Sequence, residues 1–321
     1  MANQTGWNRR EFLAAAMLPA YAAPQAKPMR GIFVIMMTPY TPALEVDYET
    51  LGREVDFLDR CGVHGMVWPQ LASEVGSLKR EERLRGMEVL AKAAKGKRPA
   101  LVLGVQGEDK DEALLYAKRA EELEPDAFIA MPPKKASRVE EFRDYYTALA
   151  GTTRRPIFMQ TTGGPPKMTP PVEMIVALAR EFPNLGYVKE EAQPVIERMR
   201  ELARSRPAIR AIFSGNGGRA MLHEMRLGFD GTMPGSPLTD LYVRIWDLYQ
   251  SNRRDEARDL FAKLNLLLTL SQEIPGTLQY IFHKRGVTKT VLSRQRKIAL
   301  DKEQMEEIDF QLAVLAPYFR A

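Results

Sequence analysis

Short apolar runs alternate with amphipathic segments along the chain from Met29 onward. Each apolar run has the length of a strand buried on both faces. The predicted strands span 31–38, 65–69, 100–105, 127–131, 156–160, 184–191, 209–214 and 231–234. A helix-period pattern follows each of them. The predicted helices span 47–61, 79–95, 109–123, 138–150, 170–182, 194–204, 218–227 and 238–250.

Eight β-then-α units in series predict an α/β fold in which residues 29–252 form a closed (β/α)8 TIM barrel. A doubly wound open sheet is the alternative. That fold favours a glycine-rich phosphate turn after the first strand, whereas the turn at 38–42 contains no glycine. Helical patterns at 254–271, 274–285 and 303–317 predict a C-terminal helical extension over 253–321.

Residues 1–23 differ from the rest of the chain. The pair Arg9-Arg10 precedes a short apolar run and the small-x-small sequence Ala20-Tyr21-Ala22, an arrangement that resembles a twin-arginine export signal. The apolar run is much shorter than the ~20 residues that a membrane span needs. We expect an exported, periplasmic protein with no membrane attachment after signal cleavage. The alternative is an N-terminal extension on a cytoplasmic protein.

Composition narrows the function classes. The 321 residues are 45% hydrophobic and 27% charged, which is typical of a globular protein. A net charge of +5 without a basic run interleaved with aromatics predicts no nucleic-acid partner. The three histidines and Cys61 are scattered, so we predict no metal site. No Walker loop occurs, and we expect no cofactor.

Lys189 carries the clearest chemical signal. It ends the sixth apolar run, and Glu190 and Glu191 follow it directly. Burial disfavours an ammonium ion, so we expect its pKa to fall and the neutral amine to become a nucleophile for Schiff-base chemistry. The alternative is a strand-end lysine in an ion pair with one of the two glutamates. Chemistry in such barrels occurs at the carboxyl ends of strands, which favours the functional interpretation.

Other polar residues are predicted to lie at the same end of the barrel. Six of them are predicted to bind substrate: Thr38, Gln70, Ser73, Glu74, Gln160 and Asn216. Gln106, Lys134 and Glu190 occupy comparable positions after their strands.

Several stretches, in chain order, resemble the dihydrodipicolinate synthase / N-acetylneuraminate lyase family. They include Thr38-Pro39-Tyr40, a Leu-x-x-Glu-Glu-Arg helix start at 78–83, Gly186-Tyr187-Val188-Lys189-Glu190, Phe213-Ser214-Gly215-Asn216 and the segment 227–231. Members of this family are (β/α)8 barrels in which a strand-six lysine forms a Schiff base with pyruvate or another 2-oxo acid. The resemblance covers about 29–315 and implies that Lys189 is the nucleophile and that the protein is a homodimer or homotetramer.

The active-site motifs depart from the family pattern. Of its Gly-Thr-Thr-Gly-Glu loop only Glu74 remains, and Leu71 and Ala72 replace the threonine pair that grips the substrate carboxylate. The family's Pro-Tyr-Tyr after strand four is Pro132-Pro133-Lys134 here, so its proton-shuttling tyrosine is absent.

Two residues are candidates to replace the lost functions. Tyr187 lies two residues before Lys189 and should share its face of the strand, so it could carry protons near the Schiff base; alternatively it only packs a barrel layer. Lys134 could hold Lys189 neutral or pair with an anionic substrate; alternatively it is a solvated loop lysine. We therefore predict Lys189, Tyr187 and Lys134 as catalytic residues.

The sequence as a whole predicts a Schiff-base-forming lyase or aldolase that acts on a 2-oxo acid, either pyruvate-type or a sugar acid. The alternative is a barrel that has kept its lysine, lost its chemistry and binds a carboxylated ligand.

Overall fold

The computed structural model describes residues 26–321, so the predicted export signal lies outside the described part. Eight parallel strands pair in sequential order, and the eighth pairs with the first to close the barrel. The predicted (β/α)8 barrel with a C-terminal helical extension is confirmed.

The strands are shorter than the apolar runs that predict them. They are β1 (Gly31–Ile35), β2 (Gly65–Trp68), β3 (Ala100–Gly104), β4 (Ala127–Ala130), β5 (Ile157–Gln160), β6 (Tyr187–Glu190), β7 (Ala211–Ser214) and β8 (Gly231–Thr232). The helices that follow them in turn are α1 (Tyr48–Cys61), α2 (Arg80–Ala93), α3 (Lys110–Glu122), α4 (Glu140–Ala150), α5 (Val172–Glu181), α6 (Val195–Ala203), α7 (Met221–Arg226) and α8 (Thr239–Gln250). The extension consists of α9 (Arg254–Glu273), α10 (Thr277–Lys284) and α11 (Lys302–Ala313).

Helix α1 shows how local sequence sets these boundaries. Asp47 caps its N-terminus by accepting a hydrogen bond from the Thr50 amide at 3.0 Å. Gly62 ends the helix in the left-handed conformation, with φ at 82°. Between these caps, Leu51 and Val55 are fully buried against the barrel. The helix therefore buries the apolar face that its sequence pattern predicts.

The sixth strand begins later than the sequence predicts. Residues Pro183–Leu185 form a 3-10 turn, and β6 begins at Tyr187. Proline lacks the N–H that a strand ladder requires. The Asn184 side-chain amide donates to the carbonyls of Ala150 and Thr153, at 3.0 and 2.8 Å, and so ties this turn to the end of α4.

The centre of the barrel is filled by aromatic rings. Phe213 packs edge-on against Phe33 and Phe158, with ring centroids 5.0 and 5.2 Å apart. The opposite faces of the strands pack against the helices and form a second, larger core. The barrel interior is therefore a packed core and not a channel.

A buried ion pair attaches the C-terminal extension to the barrel. Arg285, just after α10, donates to both carboxylate oxygens of Asp240 in α8, at 2.9 and 2.7 Å. Its side chain is 5% exposed and that of Asp240 is fully buried. The Arg320 backbone amide also donates to Asp240, at 2.7 Å. Asp240 therefore joins α8, the end of α10 and the C-terminal segment.

Within residues 26–321, no helix has both the length and the apolar character needed to cross a bilayer.

We expect Arg285→Met to lower the free energy of unfolding by about 3–5 kcal/mol, because it leaves the buried Asp240 carboxylate without its cation. Arg258→Met is the matched control. Its aspartate partners are mostly exposed, and we expect a change within about 0.5 kcal/mol. Chemical denaturation measures both values. An equal effect of the two substitutions would show that Asp240 does not anchor the extension.

Candidate active site

Lys189 lies at the carboxyl end of β6, where the sequence places it. It pairs in register with Gln160 of β5 and Phe213 of β7. Because alternate residues of a strand share a face, Lys189 points into the barrel above the aromatic layer. Only 5% of its side chain is exposed. A long cationic side chain is therefore held almost out of water.

Two groups surround the Lys189 amine. The Gln160 Oε1 atom accepts a hydrogen bond from Nζ at 3.3 Å. The Glu191 Oε2 atom lies 3.4 Å from Nζ, and the Glu191 side chain is 15% exposed. The lysine is therefore part of a buried ion pair, and its partner is the second of the two glutamates that follow it.

Glu191 is held from two loops. Its Oε1 atom accepts from the Asn216 backbone amide at 3.0 Å, and its Oε2 atom accepts from the Thr162 hydroxyl at 2.8 Å. Burial alone would raise the pKa of Glu191, but the Lys189 ammonium and these hydrogen bonds outweigh it and lower the pKa below its ordinary value. The resting site therefore contains an ionised carboxylate that faces the amine.

Glu190 turns away from the amine. Its Oε1 atom accepts from the Thr161 hydroxyl at 2.6 Å and from the Ala192 amide at 2.8 Å. Its Oε2 atom lies 3.1 Å from the Arg198 guanidinium. The Thr161 hydroxyl also accepts from the Glu191 amide at 2.9 Å. This cluster fixes the backbone directly after β6, and so supports the Lys189–Glu191 pair from the outside.

Two predicted substrate-binding residues have side chains that are engaged inside the protein. The Thr38 hydroxyl donates to the Ser73 carbonyl at 2.6 Å and accepts from the Trp68 indole at 3.1 Å. The Ser73 hydroxyl donates to the Met36 carbonyl at 2.6 Å and accepts from the backbone amide of Gln70 at 3.1 Å. These contacts shape the loop after β2, which forms two 3-10 turns that the sequence did not predict.

Gln70 retains one unused acceptor. Its side-chain amide donates to Gln106 Oε1 at 2.8 Å, and Gln106 in turn donates to the Pro69 carbonyl at 2.8 Å. The Gln70 Oε1 atom is buried and accepts no hydrogen bond from the described residues. A buried acceptor of this kind is suited to a ligand hydroxyl or a water molecule.

Glu74 connects the loop after β2 to the C-terminal segment. It adopts a left-handed backbone conformation, with φ at 57°. Its Oε2 atom accepts from the Arg294 backbone amide at 2.9 Å. The Arg294 guanidinium pairs with Glu82 at the start of α2 and stacks over the Tyr40 ring. Glu74 therefore has a structural contact to the C-terminal segment through one of its carboxylate oxygens.

Asn216 contributes to the site through its backbone. Its amide is the group that binds Glu191, and its φ of 48° lies in the left-handed region that asparagine tolerates better than most residues. Gln160 contributes through its side chain, which bridges Lys189 and the Thr162 hydroxyl.

The structure corrects the position expected for Tyr187. Its half-buried ring packs on Phe158, with centroids 5.6 Å apart. With Met29 and Arg210, which precede β1 and β7, it lines an opening at the amino ends of the strands. The side chain does share the inward face with Lys189, but it lies one layer lower in the barrel, against the aromatic core. The packing alternative accounts for this position.

The structure likewise corrects the position expected for Lys134. This residue lies exposed on the loop after β4, with Nζ 3.4 Å from the Glu108 carboxylate. The polar contacts of the Lys189 amine are Gln160 and Glu191, so Lys134 is not its neighbour. These contacts do not place Lys134 beside the Lys189 amine, and its pairing with an anionic substrate stays a prediction.

The sequence analysis named Glu191 only as one of two possible ion-pair partners of Lys189, and it missed Thr162. The period of the strand contained a signal for Glu191, because residues two apart share a face and Glu191 is two residues after Lys189. Thr162 lay beyond sequence reasoning, since its role depends on the packing of neighbouring loops. Within residues 26–321, no group of three or more potential metal ligands is assembled.

Comparisons with known proteins agree with this architecture. A sequence profile of the Dihydrodipicolinate synthetase family matches residues 28–314. A 4-hydroxy-tetrahydrodipicolinate synthase of Parabacteroides distasonis is 28% identical over 246 residues, covering 75% of this chain and 82% of the relative. An uncharacterized DapA-like lyase of Thermococcus kodakarensis is 24% identical over 294 residues, covering 87% of this chain and 97% of the relative. The crystal structure of a dihydrodipicolinate synthase from Agrobacterium tumefaciens superposes with a TM-score of 0.78 at 25% identity, covering 89% of this chain and 98% of that one.

We expect Thr161→Val to lower the free energy of unfolding by about 1–3 kcal/mol, because it removes the hydroxyl that serves the buried Glu190 and the Glu191 amide. The exposed Thr269→Val in α9 is the matched control. Its hydroxyl only donates to the Asn265 carbonyl of its own helix, and the expected change is within about 0.5 kcal/mol. Urea denaturation compares the two, and equal midpoints would contradict a supporting role for Thr161.

Proposed function

Because the chain belongs to the dihydrodipicolinate synthetase family, whose members are lyases, we propose that it forms a Schiff base between Lys189 and a 2-oxo acid. The observation that carries this proposal is the almost fully buried Lys189 amine at the carboxyl end of β6. Burying a lysine without using it is costly. A site that is only structural would be served as well by an uncharged residue.

In the proposed reaction, the neutral Lys189 amine attacks the substrate ketone and gives a carbinolamine. Loss of water converts the carbinolamine into an iminium ion. The iminium withdraws electrons from the neighbouring carbon, so that a C–C or C–O bond beside it can break or form. The aromatic layer below the lysine keeps water away from that side of the intermediate.

The residues of the loop after β2 favour a substrate other than the one that the family usually binds. Leu71 and Ala72 offer no hydroxyl groups, and Leu71 is 48% exposed. The buried Gln70 oxygen and the Gln160 amide are acceptors and donors suited to hydroxyl groups. We therefore favour a 2-oxo sugar acid or a related hydroxylated acid over a small unsubstituted one.

A binding protein for a carboxylated ligand is the second candidate. It is favoured by the absence of the threonine pair from the loop after β2. The hydroxyl groups of Ser73 in that loop and of Thr38 after β1 are engaged within the protein. Family members act on small molecules and are typically oligomeric, and we propose a homodimer or homotetramer.

Borohydride trapping tests the lyase proposal. With pyruvate or a panel of 2-oxo sugar acids, we expect a mass gain equal to the reduced adduct, mapping to Lys189 and lost in Lys189→Met. Lys135→Met, which removes an exposed lysine paired with Asp109, is the control and should trap normally. A folded wild-type protein that gains no mass with any ketone would favour the binding-protein candidate.

Export is proposed from the N-terminal sequence alone, with a cytoplasmic location as the alternative. We expect replacement of Arg9 and Arg10 by lysine to retain the full-length precursor in the cytoplasm, because the twin-arginine route requires the arginine pair. Cell fractionation with N-terminal sequencing measures this, and the exported form should begin near Ala23. An unchanged distribution would contradict the proposal.

A further inference from the structure

We propose that Glu191 is the acid–base residue that carries protons during formation and breakdown of the Lys189 Schiff base. This inference rests on the proposed function and adds a second catalytic residue to it. Nothing in the family resemblance assigns a role to this glutamate.

The Glu191 carboxylate is in contact with the nitrogen that reacts. The Glu191 Oε2 atom lies 3.4 Å from Lys189 Nζ, and both side chains are almost entirely removed from water. Proton transfer requires a carboxylate in hydrogen-bond reach or one water away, and such distances often shorten when substrate binds.

The backbone beside the Lys189–Glu191 pair leaves space for both side chains. A Cβ atom on Gly215 would lie 1.8 Å from Glu191 Oε1 and 2.7 Å from the Lys189 Cε atom. Both side chains therefore occupy space that exists only because residue 215 is glycine. The Asn216 amide and the Thr162 hydroxyl then fix one carboxylate oxygen each. The carboxylate is held in one orientation, as proton transfer requires.

The other ionisable groups that could serve the amine are bound by other residues or lie away from it. Glu190 is engaged by Thr161 and by the Arg198 guanidinium. Lys134 is paired with a rim carboxylate, and Tyr187 lies in the lower layer of the barrel. Gln160, the remaining neighbour of the amine, has an amide side chain that does not act as an acid or a base near neutral pH. Among residues 26–321, Glu191 is the titratable side chain in contact with the Lys189 amine.

The proposed steps balance in protons and charge. Glu191 takes a proton from the Lys189 ammonium, and the neutral amine attacks the ketone carbon. Glu191 then gives its proton to the ketone oxygen and removes one from the new C–N nitrogen, which yields the neutral carbinolamine. It finally protonates the carbinolamine hydroxyl, which leaves as water. The products are the iminium, one water molecule and the ionised Glu191, so the total charge of the site is unchanged.

The electrostatics make this exchange reversible. The Lys189 ammonium is a principal cause of the lowered pKa of Glu191, and burial acts in the opposite direction. When the lysine is neutral, as an amine or a carbinolamine, that attraction disappears and the pKa of Glu191 rises. When the iminium forms, the positive charge returns and favours the carboxylate. The proton affinity of Glu191 therefore follows the charge on the Lys189 nitrogen.

The test compares rates of borohydride trapping at saturating ketone. Glu191→Gln keeps the shape and the acceptor oxygen but cannot carry a proton, and we expect trapping about 100- to 10,000-fold slower than in the wild type. The final adduct should still map to Lys189. Glu108→Gln is the control, because it makes the same chemical change in a rim carboxylate that contacts Lys134, and it should trap at the wild-type rate.

Chemical rescue provides a readout that a structural role would not give. In Glu191→Ala, added formate or acetate should make trapping at least tenfold faster. The trapping rate should rise with the concentration of the carboxylate form of the additive. Lys189→Met should show no trapping with or without formate. A wild-type trapping rate in Glu191→Gln, or a slow Glu191→Ala that formate does not accelerate, would overturn the proposal.

Two further results separate the possible failures. Absence of trapping in the wild type refutes the proposed function itself, whereas wild-type trapping that Glu191→Gln leaves unchanged refutes only the role of Glu191. If the Gln and Ala variants do not fold, Glu191→Asp keeps the charge and shortens the reach by one methylene. We expect at least a tenfold slower rate in that variant, and an unchanged rate would overturn the proposal.

Discussion

The structure at the carboxyl end of the barrel depends on two opposite charges that are buried together. Each ion loses several kcal/mol of hydration when it leaves water, and the pair is tolerated only if the remaining polar atoms find partners. Gln160 serves the amine, and the Asn216 amide and Thr162 serve the carboxylate. These partners come from the ends of β5 and β7, on either side of β6. The Lys189–Glu191 pair therefore organises three neighbouring loops.

A second buried ion pair attaches the C-terminal extension to the barrel. Arg285 and Asp240 join the C-terminal extension to α8, and the chain then returns over the barrel toward the loop after β2. Arg294 contacts Glu74, Glu82 and Leu44 in that region. Thus the extension is a structural part of the rim, and the loop that carries Glu74 depends on residues more than two hundred positions later.

Much of the fold was predictable because its causes are local. The apolar runs fix the strands, and the caps of α1 are visible at Asp47 and Gly62. The position of Lys189 at the end of β6 follows from the same pattern. The early part of the sixth predicted strand was wrong because Asn184 makes contacts with a distant helix end that the pattern does not contain.

The candidate site was only partly predictable. The period of a strand gives the face on which Tyr187 lies but not the layer of the barrel that it occupies. The loops are harder still, since Thr38, Ser73 and Glu74 are strand-end polar residues whose partners are set by tertiary packing. Sequence reasoning indicated the carboxyl end of the barrel. The geometry separated the residues that contact Lys189 there from those that stabilise the loops.

The bond between Glu74 and the Arg294 amide also has a consequence for biosynthesis. The two residues are 220 positions apart, so the rim loop cannot take its final shape on the ribosome until almost all of the chain has been made. A nascent chain that has completed all eight strands still lacks the hydrogen bond between Arg294 and Glu74. The barrel can therefore close before the loop after β2 is held in place, and a prematurely terminated chain would carry the buried Lys189 with that loop unsupported.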